Sequence, residues 1–409
     1  MLAALALAAA LALAVVPAPA AASTLPTDRV GGTPVSSSPA LQSAAPNVTM
    51  AAGELLTMGG LELWSRSAET TRPMASITKI MTAVVVLDHA KLTDRAVVDT
   101  ASVAVGESDA GIRPGDSLSI SELLDAMLIK SANEAAFALA EHTAGSVPAF
   151  VDMMNAKAVA LGLKNTHFAN PHGLDAPGHY PPAADLAALT RYAMADPVFR
   201  GIVGRDTVTL GGKAGLRTLH STDLLLSSYP GAEGVKTGWT DGAGHSVVSA
   251  ARRGVVELIA IVLGTKSDAA RFKQARKLLD WGFKHYAPQR LATAGTPAGS
   301  VPVSDYLDRT VPAVVAETSS TPVFDIDGPL VRRFDVASAV TAPVARGQVL
   351  GAVIVTQGAR RIGRVPIVAA AAIPAPGAWE AFTIWMTRLW RGMFGGAGMA
   401  KPVAAPAAP

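Results

Sequence analysis

Pro73-Met-Ala-Ser76-Ile-Thr-Lys79-Ile-Met-Thr-Ala83 sets a serine one helical turn before a lysine, at the head of an apolar run. Ile77, Ile80, Met81, Val84, Val85 and Leu87 predict a helix over 76–89 that is buried on most of its circumference. At positions i and i+3, Ser76 and Lys79 face the same side, about 5–6 Å apart at Cβ. A serine hydroxyl is a poor nucleophile at neutral pH and needs a base within hydrogen-bond reach. With Ser76 in the first turn, free backbone N–H groups favour developing negative charge. The N–H of Ser76 itself can serve as one donor of an oxyanion hole.

Working outward, Ser119-Ile-Ser-Glu122 has capping-box spacing and opens a second helical run through Leu123, Leu124, Met127 and Leu128. Lys130-Ser131-Ala132-Asn133 interrupts it, a further helix follows to Gly145, and another is expected from Pro148 to Leu161. Residues 164–182 are too rich in Pro, Gly and Asn to be other than loop. Residues 245–252 and 255–264 read as strands joined by Arg253-Gly254, so Lys236-Thr237-Gly238 lies on or beside a strand leading into a hairpin. A lone S-x-x-K is expected about once by chance in a chain this long. The order S-x-x-K, S-x-N, K-T-G is far rarer and marks serine enzymes that acylate on penicillin-like or D-alanyl substrates.

Lys79 can accept the proton of Ser76 only when neutral, which burial or a neighbouring ammonium favours. Lys236 is the candidate for that second cation and can also hold a substrate carboxylate. Ser131, between the lysines, is placed to relay a proton to the leaving amine. Asn133 offers an amide to the substrate backbone or to Lys79. An extended substrate can add alongside the Lys236-Thr237-Gly238 strand through main-chain hydrogen bonds. Gly238 permits close approach, and the N–H of Trp239 is the expected second oxyanion donor.

The 409 residues suffice for two or three domains, and half of them are hydrophobic. The formal charge is +3, with no basic run interleaved with aromatics, so no nucleic-acid partner is expected. The absence of cysteine excludes disulfides and thiolate zinc sites. Residues 2–16 are one apolar run followed by PAPAAAS, which fits a secretory signal peptide over 1–22, although a basic start is missing. An Ala/Leu-rich core helix is the alternative. Residues 23–45, rich in Ser, Pro, Thr and Ala, read as a flexible linker.

At this point the chain resembles the serine-type D-alanyl-D-alanine carboxypeptidases, the low-molecular-mass penicillin-binding proteins, over roughly residues 45–395. Leu128-Ile-Lys-Ser-Ala-Asn-Glu-Ala-Ala136 is similar to the family's second element. Phe168-Ala-Asn-Pro-His-Gly-Leu-Asp175 is similar to its loop, and Gly234-Val-Lys-Thr-Gly-Trp-Thr240 to its third element. Ala342-Pro-Val-Ala-Arg-Gly-Gln-Val349 looks like part of its C-terminal β-domain.

The resemblance implies an α/β (α+β) β-lactamase/transpeptidase-like domain over 46–288, with helices around an antiparallel sheet. A small all-β sandwich over 289–375 and an amphipathic helix over 377–395 follow, with a tail over 396–409. It implies acylation at Ser76 with Lys79 as base, roles for Ser131, Asn133 and Lys236, and no cofactor. Substrate contacts would come from Lys236, Thr237, Gly238, Trp239 and Arg271, the last holding the terminal carboxylate. The alternative for Arg271 is that it merely opens a surface helix. The implied partners are the peptidoglycan stem pentapeptide and acylating β-lactams, met outside the cytoplasmic membrane.

Two departures stand out: Ser221-Thr-Asp-Leu-Leu225 where the family often shows N-x-N-x-L-L, and the bulky Trp239 after K-T-G. His167, His172 and His179 share a loop but lack metal-site helical spacing, so no metal is expected. In the last helix Trp379, Phe382, Trp385, Met386, Leu389, Trp390 and Met393 form one stripe opposite Glu380, Thr383, Thr387, Arg388 and Arg391. That composition suits a peripheral membrane anchor, with packing on the β-domain as the alternative. A D,D-endopeptidase and a non-catalytic penicillin-binding wall scaffold are the rival functions. A β-lactamase is less favoured, for want of an E-x-x-L-N-like loop.

Overall fold

The computed structural model describes residues 27–213 and 215–394. The expected signal peptide over 1–22 and the tail over 396–409 lie outside the described residues. The site-bearing domain is built on a seven-stranded antiparallel sheet. Its spatial order is Thr33–Pro34, Arg29–Val30, Glu62–Arg66, Ala52–Thr57, Val256–Thr265, His245–Arg253 and Ala232–Gly238. Strands from both ends of the segment thus meet in one sheet, and the strand carrying Lys236, Thr237 and Gly238 is an edge.

Period-2 alternation along the central strands supplies apolar side chains to both faces. Leu56, Ile259, Ile261 and Val248 join the helices Lys79–His89, Ile120–Ile129, Asn133–Ala144 and Ala183–Ala195 in one core. Leu55, Leu258, Ala260 and Val247 face the opposite way. The helix Asp268–His285 covers them through Phe272, Ala275, Leu278 and Leu279. The Ser119 capping box forms as expected, with the hydroxyl accepting from the Glu122 N–H and the Glu122 carboxylate accepting from the Ser119 N–H. Gly145, at φ 78°, closes the helix Asn133–Ala144 in the left-handed conformation that glycine tolerates best.

Two local expectations change. The expected linker over 23–45 is folded from residue 27 onward: Arg29–Val30 pairs with Glu62–Arg66, and Val30 and Val35 are buried. Asp28, fully buried, accepts from Arg66 at 2.7 and 2.8 Å. Composition cannot report a partner 38 residues away, and leaving either charge alone in that site costs about 3–5 kcal/mol. The helix expected from residue 76 begins instead as a 3-10 turn, Ala75–Thr78, and becomes α-helical only at Lys79. Ala75, at φ 52°, enters the turn left-handed, which displaces the start.

The strand Tyr286–Ala292 follows the long helix directly, so β structure begins at 286 rather than 289. It pairs with Ser319–Phe324 beside a five-stranded sheet around Val301, Val311, Val355 and Ile367. The last helix, Ala378–Phe394, meets this domain through Ile384 and the Arg388 guanidinium, which donates to the carbonyls of Ser304 and Tyr306. Trp379, Phe382, Trp385, Met386, Leu389 and Met393 remain exposed. The apolar stripe therefore does not pack on the β-domain.

Candidate active site

The 3-10 turn Ala75–Thr78 and the first turn of the helix Lys79–His89 bring Ser76 Oγ to 2.9 Å from Lys79 Nζ. Lys79 is wholly buried, and its Nζ also lies 2.7 Å from Asn133 Oδ1 and 2.6 Å from the His172 carbonyl. Three oxygens thus surround one nitrogen. The charged amine donates to all three; the neutral amine has two N–H donors and one lone pair, and with the amide and carbonyl oxygens taking the donors, the lone pair would face the serine O–H. The Asn133 amide is oriented for this, because its Nδ2 donates to the Gly106 carbonyl at 2.9 Å.

The electrostatics favour that neutral form. Burial holds Lys79 well below the ordinary lysine range, and the charge of Lys236 adds to the effect against Glu134 and Glu107. Lys236 is itself lowered to about 7, first by burial and then by Arg271, with Asp223 opposing. Desolvation therefore leads, and the second ammonium is the lesser cause.

The edge strand closes the site. A Cβ on Gly238 would lie 2.9 Å from the Met74 carbonyl and 3.1 Å from Ser76 N, so the end of the strand presses on the turn that carries Ser76. Arg271 is 7% exposed rather than on the surface, which removes the surface-helix alternative. Its Nη1 donates to the Gly238 carbonyl at 3.0 Å, and its Nη2 pairs with Asp268. Ser131 sits at φ 68° between two helices, an uncommon left-handed serine of the kind that strained functional turns hold. A cavity of about 470 Å³ is walled by Ser76, Ser131, Asn133, Thr237, Gly238, Trp239 and Arg271. Lys79 and Lys236 lie buried behind it. Among the described residues neither lysine Nζ hydrogen-bonds Ser131; Lys236 Nζ donates to the Thr237 carbonyl at 3.0 Å.

Several contributors escape a sequence reading. Thr222 also lines the cavity: its hydroxyl is 2.6 Å from that of Thr237, and its N–H donates to the Ile129 carbonyl. It thereby ties the edge strand to the helix end before Ser131. The only signal for it was the atypical Ser221–Leu225 stretch. The loop over 164–182 is fastened from behind, where His179 Nδ1 accepts from the Ala169 N–H and Nε2 meets Thr78 Oγ1 at 2.7 Å. Burial pushes His179 down to about 4, so it acts as a neutral strut. Asp175 accepts from Thr240 and from the Gly242 N–H, locking the loop to the chain after Gly238.

A family model described as D-alanyl-D-alanine carboxypeptidase matches residues 47–267, just over half of the chain. A second, the C-terminal domain of penicillin-binding protein 5, matches residues 286–375. The D-alanyl-D-alanine carboxypeptidase DacC of Escherichia coli is 37% identical over 254 residues, covering 59% of this chain and 63% of that protein. The chain thus matches somewhat under two thirds of that relative's length. DacB2 of Mycobacterium tuberculosis, a D-alanyl-D-alanine carboxypeptidase by name, is 38% identical, covering 55% of this chain and 78% of that one. The solved structure of the Streptomyces K15 DD-transpeptidase superposes with a TM-score of 0.56 at 34% identity, covering 58% of this chain and 98% of that one. With its three motifs assembled around one cavity and its β-domain matched separately, the chain belongs to the D-alanyl-D-alanine carboxypeptidase family.

Proposed function

We propose that this protein is a serine-type D-Ala-D-Ala carboxypeptidase that removes the terminal D-alanine of peptidoglycan stem peptides. The observation that carries the reading is the buried Lys79 Nζ within hydrogen-bond reach of Ser76 Oγ, Asn133 Oδ1 and the His172 carbonyl. Ser76 Oγ attacks the penultimate D-alanine carbonyl as its proton passes to Lys79. The N–H groups of Ser76 and Trp239 hold the oxyanion. Arg271, Thr237 and Lys236 hold the free carboxylate, a group that guanidinium pairs with well. Ser131 hands the proton from Lys79 to the leaving amine, and the C–N bond breaks. Water, deprotonated by Lys79, then cleaves the ester and restores Ser76. A β-lactam acylates the same oxygen, but its leaving group stays attached and obstructs the water.

The test is D-alanine release from diacetyl-Lys-D-Ala-D-Ala, with and without pre-incubation with a penicillin. One equivalent of penicillin is expected to abolish release and to leave its mass on the peptide that contains Ser76. Release that persists in the fully labelled protein would sink the proposal. Labelling without any release from the untreated enzyme would favour the wall scaffold.

We further propose that the enzyme works at the outer face of the cytoplasmic membrane, held by the last helix. Among the described residues no helix is long and apolar enough to cross a membrane. The stripe from Trp379 to Met393 is exposed while Arg388, off the stripe, donates to the Ser304 and Tyr306 carbonyls, an arrangement suited to lying in an interface. Flotation with anionic phospholipid vesicles is expected for the wild type and largely lost in Trp385→Glu. Equal flotation of the two proteins contradicts the anchor.

A further inference from the structure

Among the residues that wall the cavity, Glu107 is the one carboxylate and Arg271 the one guanidinium. Glu107 is exposed at the cavity wall and has no hydrogen bond or ion pair among the described residues. Its backbone is unusual: φ is 61°, a left-handed conformation costly for a side chain of this size. Both flanking residues are pinned by Asn133. The Asn133 N–H donates to the Ser108 carbonyl at 2.8 Å, and its side-chain amide donates to the Gly106 carbonyl. The residue that orients Lys79 therefore also fixes Glu107. By contrast, the neighbouring Glu134 is buried and already engaged by the Ala110 N–H at 2.7 Å. A strained, unpaired carboxylate held at a substrate cavity is positioned for a ligand rather than for the fold.

We infer that Glu107 forms a subsite for a primary ammonium group on the substrate residue that precedes the D-Ala-D-Ala pair. The inference rests on the carboxypeptidase reading and narrows its substrate class. A peptide lying along the edge strand presents its terminal carboxylate to Arg271 and its reacting carbonyl to Ser76. A cationic side chain one residue upstream then meets the opposite charge of Glu107. Lysine and other diamino acids carry such a group; a neutral or acylated side chain does not.

The experiment is competition against penicillin labelling of Ser76, which needs no turnover. Two peptides are compared, Nα-acetyl-Lys-D-Ala-D-Ala and its Nε-acetylated form. In the wild type the free-amine peptide is expected to halve the labelling rate at a concentration roughly threefold to fivefold lower, as a solvent-exposed ion pair supports. Added salt should shrink that ratio. It should fall toward one in Glu107→Gln and be partly kept in Glu107→Asp. Because any influence of Glu107 on Lys79 acts equally on both peptides, the ratio isolates recognition. A wild-type ratio of one, or an unchanged ratio in Glu107→Gln, overturns the proposal. Failure of the carboxypeptidase reading is separate: neither peptide would release D-alanine although the competition ratio persists.

Discussion

Replacing Lys79 with arginine is expected to lower the rate constant for acylation of Ser76 by at least about a thousandfold, with D-alanine release falling in parallel. General-base assistance to a hydroxyl typically contributes 10²–10⁴-fold, and losing one member of a coupled pair costs towards the upper end. Arginine matches the protonated form of lysine but cannot lose its proton in a protein, so it cannot become the neutral base. The substitution therefore separates charge from basicity. Lys79→Gln, which can still satisfy one of the two oxygens that Nζ meets beside Ser76, serves as the second variant against misfolding. Stopped-flow acylation by a fluorescent penicillin gives the readout, and retention of activity within tenfold in both variants would refute the base assignment.

The pH dependence follows from the same groups. Lys79 must be neutral, so kcat/KM is lost as pH falls through its lowered pKa. Lys236 must stay protonated to help hold the carboxylate, so kcat/KM is lost as pH rises past about 7. In Lys79→Arg the acid limb should vanish from whatever activity remains, while the basic limb persists.

Gly238→Ala is expected to slow acylation by about 10²–10³-fold, the typical cost of losing an oxyanion donor. The added methyl would sit 2.9 Å from the Met74 carbonyl and 3.1 Å from Ser76 N. Both are backbone atoms and cannot swing aside as a side chain does. Either the edge strand or the nucleophile turn must move, and either movement parts the N–H of Trp239 from that of Ser76. Part of the loss should also fall on KM, because the Arg271 guanidinium is bonded to the Gly238 carbonyl and shifts with it. Gly201→Ala, whose added Cβ meets nothing within 4 Å, is the control and should be near neutral. Comparable acylation by Gly238→Ala and Gly201→Ala would contradict this account of the site.

Short-range physics made much of the molecule legible in its residues. The i, i+3 relation of Ser76 and Lys79, the Ser119 capping box, the Gly145 stop and the two strands after Gly238 all depend on neighbours a few residues apart. The order of the three motifs pointed to one site, and the structure brings Ser76, Ser131, Asn133, Thr237, Gly238, Trp239 and Arg271 to one cavity. The folded N-terminal segment was not legible, because Asp28 is held by Arg66, an ion pair that composition does not encode. Thr222 and Glu107 were not legible either. A threonine or glutamate in a loop is ordinary until the fold shows what it faces.

Lys79 marks the division most clearly. Its place one turn after Ser76 follows from the local sequence alone. Its lowered pKa does not: that needs complete burial and the charge of Lys236, 157 residues away, just as its hydrogen bond to Asn133 needs a segment 54 residues away. Helical periodicity acts between neighbours, whereas desolvation and Coulombic forces act through space. Sequence therefore determined which groups are present and how each lies on its own element. Only the tertiary structure decided what surrounds Lys79 and how strongly its charged form is disfavoured.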